Sequence, residues 1–489
     1  MRKYILAMAS VAAIGILIQS GCGGSGATLH VVATPGTIAV FGGDAPQCSN
    51  VISFVVTISG LTLTPQSGSS PVSVLPAGQT VTADFASLMD FATMFSVSNV
   101  PPNTYNALGI TLSNPQLTYL DISTTPPSLK TIAPTMASLT TNLDLNPAIA
   151  IASSGTVGLQ LDFNLLNSLS ISNNQFTVTP TFTANIASAS GSNGFAELDD
   201  LSGLVQSVST SSTNPSFVGS FTISSPNAPT LTVNVSSSTM FAGVSGLGGL
   251  TTGTFVVTEA FLNASANIAA NTVMAEAQED QASGEAAFAG LITSVTPASG
   301  NATQFTLFVD GENPDVSSRV ALFSPLTFNI APSSTSFGLT AQAADFPDFS
   351  FGSANLAVGQ RVVVHGTLPS GSGTAQTATA RSVFLGRQSI LGNLSTNPST
   401  PVTTNDGVDG GFTLVPCSPL FQPAQVTVLS AQQTAFLGIS NLYGLNNPGT
   451  HFLLVKGLLF NEQSTTSFGV ESWTVPANVQ AATQVHQMP

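Results

Sequence analysis

Short runs of alternating apolar and polar residues, separated by turn residues, occupy most of the chain. The stretch SNVISFVVTISGLTLTP (residues 49–65) has apolar residues at every second position on either side of Ser59–Gly60, which predicts two strands joined by a turn. In the stretch LQLDF, the same period places Leu159, Leu161 and Phe163 on one face. No long helical period interrupts this pattern, so the chain is predicted to be all-β.

The first third of the chain contains several longer motifs in a fixed order. These are GDAP, VISFVVTISGLTLTP, VPPNTYNALGITLSNPQLT and LQLDFNLLNSLSI, between about residues 30 and 185. Together they resemble domain of unknown function 4382, an uncharacterised module common in bacterial lipoproteins, notably of the acidobacterial type. The resemblance implies an immunoglobulin-like or transthyretin-like β-sandwich and carries no activity with it.

The rest of the chain repeats one pattern three times. Each copy offers about five strands, which suits a small barrel or sandwich, such as the oligonucleotide/oligosaccharide-binding barrel. The glycine before the apolar strand of each copy predicts a turn that needs a positive φ. Copies one and two also resemble a second uncharacterised bacterial module, domain of unknown function 5666. The recurring anchors are Gly203, Gly290 and Gly392; Thr239/Phe241, Thr335/Phe337 and Thr434/Phe436; and Gly253, Gly359 and Gly449.

The strand patterns predict an all-β chain, with a β-sandwich followed by three related small β-barrel or β-sandwich repeats, and the resemblance implies that the sandwich is immunoglobulin/transthyretin-like. The predicted segments are a lipoprotein signal peptide (1–21), a tether (22–28), the β-sandwich module (29–190), and β repeats at 196–284, 285–388 and 389–485.

The start of the chain has the layout of an export signal. A positively charged MRK is followed by an apolar run at 4–18, too short to span a bilayer, and by small residues before Cys22. This resembles a bacterial lipoprotein signal, in which the cysteine is acylated, although Gln19 stands where leucine is usual. Gly23 favours the outer membrane by the same resemblance. The alternative is an ordinary secretory leader without a lipid anchor.

The composition narrows the range of partners. Only 6% of residues are charged, and eight Lys and Arg stand against 23 Asp and Glu, for a net charge of −15. So few scattered basic residues cannot assemble a phosphate-binding surface, so nucleic acid is excluded as an expected partner. The expected partners are the membrane, through the lipid anchor, and a glycan or an envelope protein.

Catalytic and cofactor motifs are missing from the sequence, which predicts a protein that is not an enzyme and holds no cofactor. The chain contains no G-x-S-x-G pentapeptide, no glycine-rich phosphate-binding loop and no His or Cys spacing of a zinc site. Asp310, Glu312 and Asp315 form the best calcium candidate, with ordinary polar turns as the alternative. His365 and Lys456 occupy comparable places in copies two and three and are interpreted as strand ends that face solvent.

Phe346, Phe349 and Phe351 lie on a long insertion in copy two, where aromatic rings could stack on sugar rings. The alternative is a loop that packs on its own barrel. The leading hypothesis is a non-catalytic cell-envelope lipoprotein that acts as a binding or scaffolding module at the outer membrane. The other hypotheses are a carbohydrate-binding surface protein and an envelope hydrolase with a dispersed carboxylate site.

Three cysteines occur in the chain. If Cys22 carries lipid, Cys48 and Cys417 remain in an exported protein, where disulfides are permitted. Both lie in turn-rich segments beside predicted strands. A Cys48–Cys417 disulfide would tie the N-terminal module to the third copy, and two separate thiols are the alternative.

Overall fold

The structure is a computed structural model of the 489-residue chain. It is nearly all β, as predicted. Within the residues that it describes, no helix has both the length and the apolar character needed to cross a membrane. The described residues run from 34 to 487, apart from 45–48, 90, 125–127, 137–138, 173–174, 188–193, 225–229, 276–283, 314–315, 317–318, 341–349, 369–376, 396–401, 404–406, 422–424, 446–451, 462–463, 469–470 and 476–478.

The N-terminal module contains thirteen described strands, one short α-helix, α1 (Leu165–Ser168), and a 3-10 helix at Phe85–Ser87. The strands are β1 (Gly36–Asp44), β2 (Val51–Pro65), β3 (Val72–Ser73), β4 (Val81–Asp84), β5 (Thr93–Val100), β6 (Asn103–Asp121), β7 (Ser128–Ile132), β8 (Thr135–Met136), β9 (Thr140–Ile151), β10 (Thr156–Phe163), β11 (Leu169–Ser172), β12 (Gln175–Val178) and β13 (Phe182–Ala187).

Two sheets of this module pack into a sandwich around one apolar core. One sheet has the order β13-β10-β1-β5, and the other has the order β3-β2-β6-β7, with β4 beside β2 and β9 beside β6. A small sheet of β11, β12 and β8 completes the module. Leu159, Leu161 and Phe163 are fully buried in the core, which confirms the predicted inward face of β10.

The predicted turn at Ser59–Gly60 is wrong, because β2 is one continuous strand of 15 residues. Its register against β6 shifts between Ile58 and Gly60, and Gly60 pairs with Thr111. The shift is a β-bulge, in which an extra residue bends a strand without ending it. Glycine and serine therefore mark a bulge here, and the same residues are equally typical of a turn.

Three barrels follow the sandwich. Barrel 1 contains β14 (Ala196–Ser209), β15 (Gly219–Ser224), β16 (Leu231–Ala242), β17 (Phe255–Leu262) and β18 (Ile268–Ala275). Barrel 2 contains β19 (Glu285–Thr296), β20 (Gln304–Asn313), β21 (Ser324–Ile330), β22 (Ser336–Leu339), β23 (Arg361–Thr367) and β24 (Thr377–Leu385). Barrel 3 contains β25 (Arg387–Leu394), β26 (Val402–Thr403), β27 (Gly410–Pro416), β28 (Val426–Ser430), β29 (Ala435–Leu437), β30 (Phe452–Phe460), β31 (Ser464–Phe468), β32 (Glu471–Val475) and β33 (Val479–Gln487).

All three barrels have the same strand pairing. The first main strand (β14, β19 or β25) pairs with the second and fourth main strands, and the third pairs in parallel with the fifth. In barrel 1 this closes a five-stranded barrel of order β14-β15-β16-β18-β17. The order is that of the oligonucleotide/oligosaccharide-binding barrel. In barrel 3, the hairpin β31–β32 is inserted before the last strand.

The threonine of the repeated Thr-x-Phe motif makes the same hydrogen bonds in each barrel. The threonine hydroxyl donates a hydrogen bond to a carbonyl of the fifth main strand and accepts one from a backbone N–H three or four residues upstream. The threonines are Thr239, Thr335 and Thr434, and their acceptors are the carbonyls of Ala270, Ala380 and Ala482, each at 2.8 Å. This one side chain therefore joins the third and fifth strands in all three copies.

Two glycines predicted to need a positive φ have one. Gly253 has a φ of 86° and Gly359 a φ of 91°, which L-residues with a Cβ rarely adopt. Gly449, the third of this set, lies outside the described residues.

Neighbouring modules share apolar cores. Phe41 and Met94 of the sandwich belong to one cluster with the interior of barrel 1. A small cluster of apolar residues, among them Phe255 and Val363, joins barrels 1 and 2. Phe460 of barrel 3 packs into the core of barrel 2. The four modules are therefore packed against one another.

Candidate functional site

The fourth main strand of each barrel carries a polar residue at one equivalent position. Glu259, His365 and Lys456 each immediately precede a shift in register against the fifth strand. The interpretation of His365 and Lys456 as solvent-facing strand ends is wrong, because both side chains are buried. Neighbouring modules cover them: the His365 ring packs edge-on against Phe255 of barrel 1, 5.2 Å between ring centroids.

The first main strand carries a second equivalent position. It lies opposite the residue two places beyond the fourth-strand position in every barrel. Glu197, Glu285 and Arg387 occupy it and pair with Phe261, Thr367 and Leu458 in that order. The two positions are close on each barrel surface, and the residues at them differ in charge from barrel to barrel.

Barrels 1 and 3 meet through these two positions. Arg387 Nη1 lies 2.9 Å from Glu197 Oε1, and Arg387 Nε lies 2.9 Å from Glu259 Oε1. Lys456 Nζ lies 2.9 Å from Glu197 Oε2. Barrel 1 thus contributes two carboxylates and barrel 3 two cations, and we name these four residues the barrel 1–3 network.

The N-terminal module closes over the same network. The Lys456 ammonium lies 4.2 Å from the centre of the Phe91 ring, a cation–π contact. Burial raises the pKa of Glu197, but the charges of Lys456 and Arg387 outweigh it and hold that pKa below its ordinary value. Glu197 is therefore ionised at neutral pH, and three modules converge on one set of paired charges in which Lys456 and Arg387 are buried and Glu197 is partly exposed.

A cleft of about 640 Å³ lies beside this network, between barrels 1 and 3. Barrel 1 lines it with the loop between its first two strands, the edge of β16 and the loop after β17. Barrel 3 lines the opposite side with β25, β29, β33 and the turn before β29. The lining residues are Glu197, Ser216, Phe217, Ser236, Ser238, Phe261, Asn263, Ala269, Ala270, Asn271, Arg387, Gln433, Ala435 and Gln484.

Neutral groups that both donate and accept hydrogen bonds dominate this lining. Serine hydroxyls and the amides of Asn and Gln have both capacities. Phe217 and Phe261 are half-buried and add two apolar faces. The charges present, Glu197 and Arg387, are paired with each other. The cleft therefore suits an uncharged ligand that is rich in hydroxyl groups.

Comparisons with known proteins identify one part of the chain. Residues 35–180 match the family described as domain of unknown function (DUF4382). The N-terminal module is a DUF4382 domain. No curated protein matches the chain. A solved structure, drosophila Unr CSD456, is 12% identical, with 60% of this chain and 98% of that chain covered, at a TM-score of 0.14, too low to establish a shared fold.

The carboxylates predicted as a calcium site have other surroundings. Asp310 forms a two-pronged ion pair with Arg361 of the same barrel, at 2.6 Å and 3.4 Å. Glu312 is buried in barrel 2, and Asp315 lies outside the described residues. Across the part of the chain that is described, no three His, Cys, Asp or Glu side chains gather as a metal site would require. Calcium at Asp310 stays a prediction.

The aromatic loop of barrel 2 is described only at its end. Phe346 and Phe349 lie outside the described residues. Phe351 packs against Phe337 with 5.8 Å between ring centroids and adjoins the barrel 2 core. This contact is the one expected of a loop that packs on its own barrel, so Phe351 is not placed as a free stacking surface.

The cysteines are partly described. Cys22 and Cys48 lie outside the described residues, whereas Cys417 is disulfide-bonded. Ser49 of the DUF4382 domain and Ser418 of barrel 3 line one small cavity. The chain neighbours of Cys48 and Cys417 therefore meet at the same junction, which supports the predicted pairing without testing it.

Sequence reasoning missed Glu197, Glu259 and Arg387. Aligning the three copies strand by strand would have revealed Glu259, because TEA, VHG and VKG stand at the same place in the fourth strand. Nothing in the sequence indicates that barrel 1 faces barrel 3. The cleft depends on that pairing, so no sequence signal could have found it.

Proposed function

We propose that this protein is a non-catalytic binding protein of the cell envelope and that its ligand is an uncharged saccharide held in the cleft between barrels 1 and 3. The cleft carries the proposal. Its volume, about 640 Å³, falls within the range of about 300–1,000 Å³ that is usual for small-molecule sites. Barrel 1 lines the cleft with the loop between its first and second strands and the loop between its fourth and fifth strands. Barrels of this type bind oligosaccharides and oligonucleotides with these two loops.

The chemistry of the cleft favours a saccharide over an oligonucleotide. Amide and hydroxyl groups match the hydroxyls of a sugar as both donors and acceptors. The apolar faces of Phe217 and Phe261 offer surfaces on which the C–H face of a sugar ring can pack. Phosphate recognition needs unpaired cations, and Arg387 is engaged by Glu197 and Glu259.

Export and a lipid anchor are proposed from the leader and Cys22. The barrels are proposed as domain of unknown function 5666-like repeats, on the pattern shared by copies one and two. Replacing Cys22 by Ser should move the protein from the membrane fraction to the soluble fraction. Unchanged membrane association would contradict the lipid anchor.

The saccharide proposal is tested with the full exported chain on a glycan array and then by calorimetry with the best binder. Phe217→Ala and Phe261→Ala should each weaken binding at least tenfold, because each removes an apolar face of the cleft. Phe452→Ala is the matched control, since Phe452 is an exposed phenylalanine of barrel 3 outside the cleft lining. Its binding should equal that of the wild type.

Two results would contradict the cleft as the site. One is a glycan binder whose affinity is unchanged in both cleft variants. If that binding were instead lost in Phe349→Ala, the ligand site would lie on the barrel 2 insertion. The other is the absence of any binder across neutral, acidic and amino glycans.

A further inference from the structure

A second cavity lies at the junction of the DUF4382 domain, barrel 1 and barrel 2. Its volume is about 220 Å³. This cavity is separate from the cleft: the two share no lining residue. An engineered cavity of about 150 Å³ admits benzene, so this one has room for a body of about six carbon atoms.

One side of the cavity is apolar. Leu88 and Met94 of the DUF4382 domain and Leu201, Ile223, Leu231 and Val257 of barrel 1 form it. Water finds few partners on such a surface, and burying an apolar group against it is favourable at about 25 cal/mol per Å². This side fits the hydrocarbon part of a ligand.

Ionisable residues of the DUF4382 domain and barrel 2 also line the cavity, and we call them its ionic side. Asp84, Asp310 and Arg361 are the three ionisable residues among those that line the cavity. Both terminal nitrogens of Arg361 donate hydrogen bonds to the Asp310 carboxylate, so these two charges offset each other. The ionised Asp84 carboxylate then leaves the cavity with one negative charge in excess.

The fold holds both carboxylates in place. Asp84 Oδ1 accepts hydrogen bonds from the backbone N–H groups of Phe54 (2.8 Å) and Ala86 (3.1 Å). Asp310 is the extra residue of a β-bulge, since Val309 and Gly311 pair with the consecutive residues Gly290 and Ala289. Bulges re-aim side chains and are frequent beside binding sites.

We propose that this cavity binds a small primary amine with a compact apolar body. Its ammonium would lie against Asp84 and Asp310, and its hydrocarbon part against the wall from barrel 1. A cation restores neutrality to the ionic side, which a neutral or anionic group cannot do.

The pH dependence follows from Asp84. Burial, with the nearby charge of Asp310, raises the pKa of Asp84 to about 6. A bound ammonium favours the ionised carboxylate. Amine affinity should therefore fall as pH drops below about 6, because the amine then has to displace a proton.

Calorimetry on the full exported chain at pH 7.5 tests the site with three probes of one shape: cyclohexylamine, cyclohexanol and cyclohexanecarboxylate. The amine should bind at least tenfold more tightly than the alcohol, and the carboxylate should give no saturable binding. This comparison uses wild-type protein alone, so it does not depend on how any variant folds.

Two variants locate the site. Asp84→Asn keeps a side-chain oxygen for the two backbone N–H groups and should weaken amine binding at least tenfold while leaving alcohol binding unchanged. Leu231→Phe fills the apolar side and should weaken both. Equal affinity for amine and alcohol, an amine affinity unaffected by Asp84→Asn, or no binding of the amine at 10 mM would overturn the proposal. Cleft binding of a saccharide is measured separately and stands or falls independently.

Discussion

Asp84 is a carboxyl group whose ionisation is opposed by the fold. It closes β4 and caps the short turn that follows, with its Oδ1 fixed by two backbone N–H groups. Those hydrogen bonds favour the charged form, but burial outweighs them, and its pKa is raised to about 6 from an ordinary value of 3.8. A raised carboxyl pKa means that the folded protein binds this proton more tightly than the unfolded chain does.

We expect this group to make the folded state less stable as pH rises. Its contribution is fully present below about pH 4, where both states are protonated, and is lost as pH rises through 6. The loss is about 3 kcal/mol, from about two pKa units at 1.36 kcal/mol each. Urea unfolding of wild type and Asp84→Asn between pH 4 and 8 isolates this term, since all other groups are shared. A difference in unfolding free energy that does not vary with pH would contradict it.

Thr434 shows how a single hydroxyl supports a barrel. It accepts a hydrogen bond from the Ala431 N–H at 2.9 Å and donates one to the Ala482 carbonyl at 2.8 Å. Thr434→Val keeps the shape and removes both bonds, so two buried backbone groups lose their partner. We expect a loss of about 1–3 kcal/mol in the unfolding free energy. A valine variant as stable as wild type, by urea unfolding, would show that the hydroxyl is dispensable.

Residue-level predictability from the sequence was uneven. The Thr-x-Phe boxes and the positive φ at Gly253 and Gly359 were predictable because each reflects a local backbone requirement. The burial of His365 and Lys456 was not, because their own strands give both residues the pattern of an exposed strand end. A different module covers each of them, and a strand pattern reports only the barrel it belongs to.

At the scale of elements, the barrel 1–3 network uses one surface geometry with two charge patterns. Glu197 and Arg387 occupy the same position on the first main strand, and Glu259 and Lys456 the same position on the fourth. Two copies of barrel 1 would bring four carboxylates together in this contact. Like charges at such distances repel, so the pattern favours barrel 3 as the neighbour of barrel 1.

Glu197→Gln should destabilise the protein by about 3–5 kcal/mol, because it removes the carboxylate that pairs with the deeply buried Lys456. The double variant Glu197→Gln/Lys456→Met should recover most of that loss, since no charge is then buried without a carboxylate. Unfolding free energies of both single variants, the double variant and wild type give the coupling energy.

Glu285→Gln is the matched control for this cycle. Glu285 holds the equivalent position in barrel 2, and its partner Arg381 has 64% of its side chain exposed. Surface ion pairs contribute about 0–1 kcal/mol, so this variant should be close to wild type. Equal losses in Glu197→Gln and Glu285→Gln would mean that the buried network contributes no more than a surface pair.

At the scale of the whole molecule, the last module packs back against the first two, and we call this arrangement the closure of the chain. The DUF4382 domain packs on barrel 1, barrel 1 on barrel 2 and barrel 2 on barrel 3, and barrel 3 then meets both barrel 1 and Phe91 of the DUF4382 domain. Amide side chains reinforce the barrel 2–3 contact: Gln388 accepts from the Arg361 N–H at 2.7 Å, and Gln360 donates to the Leu459 carbonyl at 2.9 Å.

The fold class and the threefold repeat could be predicted because hydrophobic period and recurring glycines are local signals. The closure of the chain could not, because it depends on pairs such as Glu197 and Lys456, which are far apart in sequence and unremarkable in their own segments. Both candidate sites lie between modules, so their lining residues come together only once the packing of the modules on one another is known.

A Cys48–Cys417 disulfide would lock this closure covalently. Cys417 is disulfide-bonded, and Ser49 and Ser418 line one cavity between the DUF4382 domain and barrel 3. A crosslink that closes so long a loop should stabilise the folded state by about 4 kcal/mol or more in the chain-entropy model.

Peptide mapping without reductant should recover the two cysteine peptides joined, and Cys48→Ser and Cys417→Ser should lower the melting temperature equally. A Cys22 peptide joined to the Cys417 peptide, or free thiols at Cys48 and Cys417, would contradict the Cys48–Cys417 disulfide. Because the barrel 1–3 network also holds barrel 3 against the rest of the chain, Glu197→Gln should cost more stability in reduced than in oxidised protein.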